Sequence, residues 1–243
     1  NPFLPIYDKP RLAERLCEEL LPKFPQLSKK QIYAAVDKAW AEQEKFKADC
    51  QKAGEDALEE MITKGGSGIV LAGRPYHLDP EINHGIPEMI NGLGLAVLTE
   101  DSIAHLGKIE RPLRIIDQWT YHNRLYRAAQ FVSEMPSLEL VQLTSFGCGL
   151  DAVTADQVDE ILRAKSRMYT LIKIDEGSNL GAVRIRIRSL IAAVKERRRN
   201  KKPVTKQSSA YHRVIFTEEM RKNYTIIGPQ MSPIHFKLIQ KAF

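Results

Sequence analysis

The stretch Leu138-Glu-Leu-Val-Gln-Leu-Thr-Ser-Phe-Gly-Cys-Gly-Leu-Asp-Ala152 decides the reading of the chain. It opens on a short apolar run, Leu138–Leu143, too short for a helix. It then breaks at a loop with glycine on either side of Cys148, and Thr154 with Gln157 reads as a capping box opening a helix over about 155–166. A strand, a glycine-rich loop and a helix in that order are the unit of a parallel α/β sheet.

The same grammar repeats on both sides. Gly68-Ile-Val-Leu-Ala72, Leu95-Ala-Val-Leu98 and Tyr169-Thr-Leu-Ile-Lys-Ile174 are three further short apolar runs. Helical patterns separate them over about 86–92 and 113–134, the latter carried by Ile115, Trp119, His122, Tyr126, Ala129 and Val132. A last helix is predicted over about 181–199 from Val183, Ile187, Leu190, Ile191 and Val194. Arg184-Ile-Arg-Ile-Arg188 alternates like a strand, but its surroundings keep helical spacing. The expected fold is therefore α/β, a Rossmann- or flavodoxin-like parallel sheet with helices on both faces over 68–199. The loops beyond the carboxyl ends of its strands are the place to look for function.

Before that sheet, residues 1–67 read as helical. A short helix over Arg11–Phe24 stops at Pro25, and Ser28 with Gln31 opens a long one to about Lys64. Cys17 and Cys50 fall on helical faces and read as small core residues. After the sheet, a polar linker over 200–212 leads to 213–243. There Arg213–Phe216, Tyr224–Ile227 and a helix-like Pro233–Phe243 read as the beginning of a second α/β unit, truncated after one step.

Bulk properties narrow the function classes. The 243 residues include three cysteines, scattered too widely for a disulfide framework, so reduced thiols in the cytoplasm are expected. No apolar run approaches the roughly 18 residues that a membrane span needs. The amino terminus has neither an initiating Met nor a leader pattern, and the chain is expected to begin inside a longer one. The net charge of +6 comes largely from Lys195-Glu-Arg-Arg-Arg-Asn-Lys-Lys202. That run lacks interleaved aromatics, so it reads as a solvated helix end rather than a nucleic-acid site.

Three loops carry residues with chemistry. In the first, the flanking glycines and the positive end of the next helix would favour a Cys148 thiolate, either a metal ligand or a nucleophile. A buried turn thiol is the structural alternative, and no Cys-x-x-Cys or Cys/His pair lies nearby. In the second, Arg74, Tyr76, His77, Asp79, Asn83 and His84 would cluster at the carboxyl edge of the sheet. Arg74 would hold a phosphate or carboxylate, or pair with a loop acid while the histidines cap helix ends. In the third, Asp175 and Glu176 would contact a ligand's hydroxyls or hold Arg184, with Asn179 capping a helix. A GxGxxG turn, a Walker-type phosphate loop and a Ser/His/Asp pattern are all missing from the sequence, and no catalytic residue is assigned.

Several of these segments together resemble the large activase-related proteins of the 2-hydroxyacyl-CoA dehydratase group, in which an ATPase of the BadF/BadG type is joined to a region related to the dehydratase subunits. The segments are Gly73-Arg-Pro-Tyr-His77, Gln118-Trp-Thr-Tyr-His-Asn-Arg124, Ser145–Ala152, Lys173–Glu176 with Asn179–Ala182, and Pro229-Gln-Met-Ser-Pro-Ile-His-Phe236. The resemblance implies a [4Fe–4S] cluster held by cysteines from two lobes and fed an electron at low potential by ATP hydrolysis. Cys148 matches one such ligand, and the others would precede Asn1. On that reading the isolated chain binds no cofactor, is inactive alone, and partners with other domains of its parent chain and with an acyl-CoA or a dehydratase or reductase. The alternatives are an acyl-CoA-binding dehydratase domain and a non-catalytic docking module.

Overall fold

The computed structural model describes residues 2–115, 117–145, 149–174, 180–200 and 216–225, with Pro233, His235, Lys237 and Lys241. The chain divides into two compact units, Asn1–Ser209 and Ala210–Phe243.

In the first unit, strands β1 (Gly68–Ala72), β2 (Ala96–Thr99), β3 (Leu138–Ser145) and β4 (Tyr169–Ile174) form one sheet in the order β2-β1-β3-β4. Every pairing is parallel, with Gly68 opposite both Ala96 and Leu138, and Ser145 opposite Ile174. This is the expected Rossmann- or flavodoxin-like α/β fold. Its central strands β1 and β3 are buried at every position, as strands covered on both faces should be; β1 is apolar throughout, whereas β3 also buries Glu139, Gln142, Thr144 and Ser145.

Helices α1 (Lys9–Leu20) and α2 (Lys29–Thr63) precede the sheet. Ser28 and Gln31 close the predicted capping box, each side chain accepting a bond from the other's backbone N–H. The carboxyl half of α2 reaches the core through Leu58 and Met61. That face of the sheet is also covered by α5 (Glu100–Ile103), α6 (Thr120–Glu134) and α7 (Gly149–Arg163). The other face is covered by α4 (Ile86–Asn91) and α8 (Leu180–Asn200), through Ile86, Ile90, Val183, Ile187, Leu190 and Val194. Arg184–Arg188 is helical within α8, as its neighbours' spacing requires. Cys17 is buried in α1, and Cys50 is half-buried on α2.

Two helix starts differ from the sequence reading. The helix after β3 begins at Gly149, not near residue 155, so Thr154 and Gln157 lie inside it. Both are buried; Thr154 Oγ1 donates to Asp151 O, and Gln157 Oε1 accepts the Ile115 N–H at 3.0 Å. The second difference is in α6, which starts at Thr120 rather than about 113 because Trp119 before it is extended.

The basic end of α8 is not simply solvated either. Arg197 pairs with Glu139 and Arg198 donates to Ser67 Oγ and Pro136 O, fastening the helix to the amino ends of β1 and β3.

In the second unit, α9 (Glu218–Asn223) is capped by Thr217 and buries none of its residues. Of the two strands expected there, residues 213–215 and 226–227 lie outside the described residues, as does most of the 200–212 linker.

Candidate functional site at the carboxyl ends of beta1 and beta3

The connection out of β1 leads to β2 on one side of it, while β3 lies on the other, so β1 and β3 frame the switch point of the sheet. Open α/β folds bind ligands outside such a point. Here it is flanked by the loop after β1 and the loop after β3 that carries Cys148. Residues 146–148, and with them Cys148 itself, lie outside the described residues. So do Asp175 and Glu176.

The loop after β1 leaves the sheet at Gly73, where a Cβ would lie 2.5 Å from His77 Nδ1 and 3.1 Å from Leu143 O. No larger residue fits without moving the imidazole. A 3-10 turn over Pro75–Leu78 folds His77 back into the protein, 2% exposed. Its Nδ1 accepts the Arg74 N–H at 2.9 Å, and its Nε2 lies 2.7 Å from Ser145 Oγ. A neutral imidazole whose Nδ1 accepts must carry its proton on Nε2, so His77 donates to Ser145. Burial lowers the His77 pKa, outweighing an upward pull from Asp151, and Arg74 adds a smaller lowering. His77 therefore cannot take a proton from Ser145, and the pair is not a hydrolase-type nucleophile and base.

Arg74 forms the second tie. Its Nη2 and Nε lie 2.7 and 2.8 Å from Asp151 Oδ1, on the first turn of α7. The Asp151 side chain is 5% exposed. The guanidinium carbon also sits 4.7 Å from the centre of the Tyr121 ring, a cation–π distance. Arg74 thus pairs with an acid, as one of the two sequence readings had it, but the acid comes from beyond the Cys148 loop rather than from its own.

The remaining residues of the first loop shape it. Asp79 caps the short helix α3 (Pro80–Asn83) by accepting the Glu81 N–H. Buried Asn83 bridges Leu78 O and the Gly85 N–H. His84 ends α3 in the left-handed conformation, φ 54°, and Tyr76 is half exposed with its ring edge-on to His77. The structure therefore brings Arg74 and His77 together with Ser145 and Asp151, and assigns Asp79 and Asn83 to the backbone of the loop.

Three groups next to these were not singled out from sequence. On α6, the hydroxyls of Tyr121 and Tyr126 and the Nε2 of His122 are buried with no hydrogen-bond partner among the described residues. Burial raises the Tyr121 pKa, with Asp151 adding to it, and lowers that of His122, with Arg74 adding to it. Both rings are held neutral. Behind them, Glu100 at the end of β2 receives Nε and Nη2 of Arg124 at 2.7–3.0 Å. Periodicity places His122 and Tyr126 on the apolar face of this helix, and Gln118–Arg124 enters only as one of the segments that carry the resemblance.

The arrangement is a polar, largely neutralised platform in which the His77–Ser145 and Arg74–Asp151 contacts lie on either side of the Cys148 loop. Among the described residues, no three His, Cys, Asp or Glu side chains converge as a metal site, and no helix is long and apolar enough to cross a membrane.

Residues 1–103 match the family model described as a CoA enzyme activase uncharacterised domain. No curated protein and no solved structure matches the chain. The matched stretch runs from the amino-terminal helices through β2 to the end of α5, so it includes Arg74, His77 and Glu100 but stops short of Ser145 and Asp151. Over that stretch the chain is similar to CoA enzyme activase domains, which supports an activase-related role.

Proposed function

We propose that the chain is part of an activase-related protein of the 2-hydroxyacyl-CoA dehydratase group, in which Cys148 supplies one thiolate ligand to a [4Fe–4S] cluster. The observation that carries the reading is the pair of ties enclosing the Cys148 loop. His77 holds Ser145 on one side of it and Arg74 holds Asp151 on the other. A ligand loop fixed at both ends on a parallel sheet's switch point is suited to presenting one side chain in one geometry.

The donor set fits one corner of a cluster and no more. Iron–sulfur clusters are commonly held by four cysteines, and the two other thiols here belong to α1 and α2, where Cys17 is buried and Cys50 half-buried. The remaining ligands would come from outside residues 1–243. When bound, the cluster would supply one-electron chemistry at low potential, driven by an ATPase partner in the cytoplasm. The chain's own part is to fix Ser145 and Asp151 on either side of the loop, to keep the Arg74 guanidinium beside Asp151, and to keep His77, Tyr121 and His122 neutral.

Reconstituting the parent protein with iron and sulfide, with and without Cys148→Ala, tests this. The variant should lose the cluster's visible absorption and its electron paramagnetic resonance signal. A cluster spectrum unchanged by the substitution overturns the ligand assignment.

A second reading, an acyl-CoA-binding dehydratase domain, draws support from the Tyr121 hydroxyl near Arg74, which has no hydrogen-bond partner among the described residues. A ligand bound only by the folded state raises the melting temperature. Acyl-CoA thioesters at millimolar concentration should then raise that of the wild type more than that of Tyr121→Phe. No shift in the wild type rejects it.

A further inference from the structure

Helix α2 is 35 residues long, about 50 Å at 1.5 Å per residue, and its buried residues fall into two groups. Gly54, Leu58 and Met61 pack toward the sheet, with Gly54 against Ser102 of α5. Ile32 and Val36 lie in the stretch that pairs with α1, where Lys9 reaches Asp37 at 2.7 Å. From Asp37 to Ala53 no residue is buried. The amino half of α2 and α1 therefore form a two-helix hairpin with no third layer. One side of it is an open apolar groove, walled by Leu12, Leu16 and Leu20 of α1 and by Ala35, Ala39 and Trp40 of α2. Phe46, two turns beyond Ala39, continues that side of α2 and is 60% exposed.

Charge, shape and area all favour a second copy of this chain as the occupant. The charges around the groove are matched within the chain: Lys9 with Asp37, Arg15 with Glu18 and Glu19, and Lys47 with Glu44 each pair at 2.7 Å. Such a rim gives an anionic headgroup or a nucleic acid nothing to hold, and it does not repel a copy of itself. The open side of α2 also complements its own reverse, as a two-fold interface requires. With two α2 helices antiparallel about an axis at Glu42 and Gln43, Phe46 faces the partner's Ala39, Cys50 the partner's Ala35, and Ala53 the partner's Ile32. The two large side chains each meet an alanine, and at the axis the Glu42 carboxylate can accept from the partner's Gln43 amide. The groove runs from Leu27 to Lys47, about 30 Å along the hairpin, and two helices abreast are about 20 Å wide. Covering that face on both copies removes on the order of 1,200 Å² from water, above the roughly 1,000 Å² that a specific interface needs.

We propose that the α1–α2 hairpin is a homodimerisation surface, on which two copies close their grooves into a four-helix bundle with the two α2 helices antiparallel. Bundles of this kind bury one apolar stripe from each helix in a shared core, which supplies the layer that the lone hairpin lacks. The surface uses none of the residues around the Cys148 loop, so it stands or falls independently of the cluster.

Sedimentation velocity of the parent protein across micromolar concentrations tests the proposal. A reversible dimer is expected. Ala39→Glu with Phe46→Glu sets carboxylates face to face across the seam and should weaken the dimer at least about tenfold. Both positions are exposed on α2 and glutamate suits a helix, so the far-ultraviolet circular dichroism should not change. Ala35→Cys, treated with oxidised glutathione, should give a covalent dimer through the partner's Cys50, and adding Cys50→Ala should abolish it. A parent protein that stays monomeric, its groove covered by another domain of the same chain or left open, overturns the proposal. So does a dimer that the double variant leaves unchanged. A dimer that the double variant weakens but that gives no crosslink with Ala35→Cys overturns the antiparallel register.

Discussion

His77 Nδ1 accepts the backbone N–H of Arg74 at 2.9 Å while its Nε2 donates to Ser145 Oγ at 2.7 Å, so one neutral imidazole joins the loop after β1 to the last residue of β3. Protonating Nδ1 would break the first bond and bury a charge. Burial lowers the His77 pKa from its ordinary 6.5, so the unfolded chain takes up this proton before the folded one does. The stabilisation is complete above about pH 6.5 and is lost as pH falls below it. Nuclear magnetic resonance titration should show the His77 ring still neutral where an exposed histidine is charged. His77→Ala should lower stability by about 2 kcal/mol at neutral pH through two lost hydrogen bonds and a cavity. An unshifted titration would mean that the ring is not held as an acceptor.

Arg74 and Asp151 lie 2.7 Å apart with the carboxylate 5% exposed, and so act as a unit. Arg74→Ala leaves a buried carboxylate unpaired and should cost about 3 kcal/mol. Arg74→Lys keeps the charge but loses the two-atom grip and the planar contact with Tyr121, so its cost should be intermediate. In a double-mutant cycle with Asp151→Asn, the coupling should exceed about 1 kcal/mol. Chemical denaturation of the four proteins measures it, and a coupling near zero would reduce the pair to a surface contact.

Patterning made the sheet legible. Gly68–Ala72 is apolar on both faces and Leu138–Leu143 mostly so because both faces are covered, and the Ser28–Gln31 box marked the start of α2 from local chemistry alone. The start of α7 was not legible, because Thr154 and Gln157 have the spacing of a capping box yet are buried and committed to Asp151 O and the Ile115 N–H. That choice is tertiary. The same holds for the site. Loop position singled out Arg74 and His77, but their partners Asp151 and Ser145 lie 77 and 68 residues away, and no local signal joins them.

Gly54 sits where α2 crosses α5. A Cβ there would lie 2.5 Å from Ser102 O and 2.7 Å from Ser102 Cβ, with rigid backbone on the far side. Alanine gains about 1 kcal/mol of helix propensity over glycine, whereas overpacking a close contact typically costs 1–3 kcal/mol. The clash should win because the nearest atom is a carbonyl rather than a flexible side-chain tip. Gly54→Ala is expected to lower the melting temperature by a few degrees. A rise instead would show that α2 can lift off α5 at little cost, leaving only the propensity gain.

Glu100 offers a prediction of opposite sign to His77. Burial raises its carboxyl pKa from the ordinary 4.5 to about 7, although Arg124 pulls it back. The folded state therefore holds this proton more tightly than the unfolded one. The contribution to stability is full below about pH 4.5, declines as pH rises toward about 7, and is flat beyond. Glu100→Gln keeps the shape and cannot titrate, so wild type should lose stability relative to the variant across that window. Parallel thermal melts from about pH 4 to 8 separate this from the alternative, in which the two-pronged grip of Arg124 keeps Glu100 ionised throughout and wild type gains on the variant as pH rises.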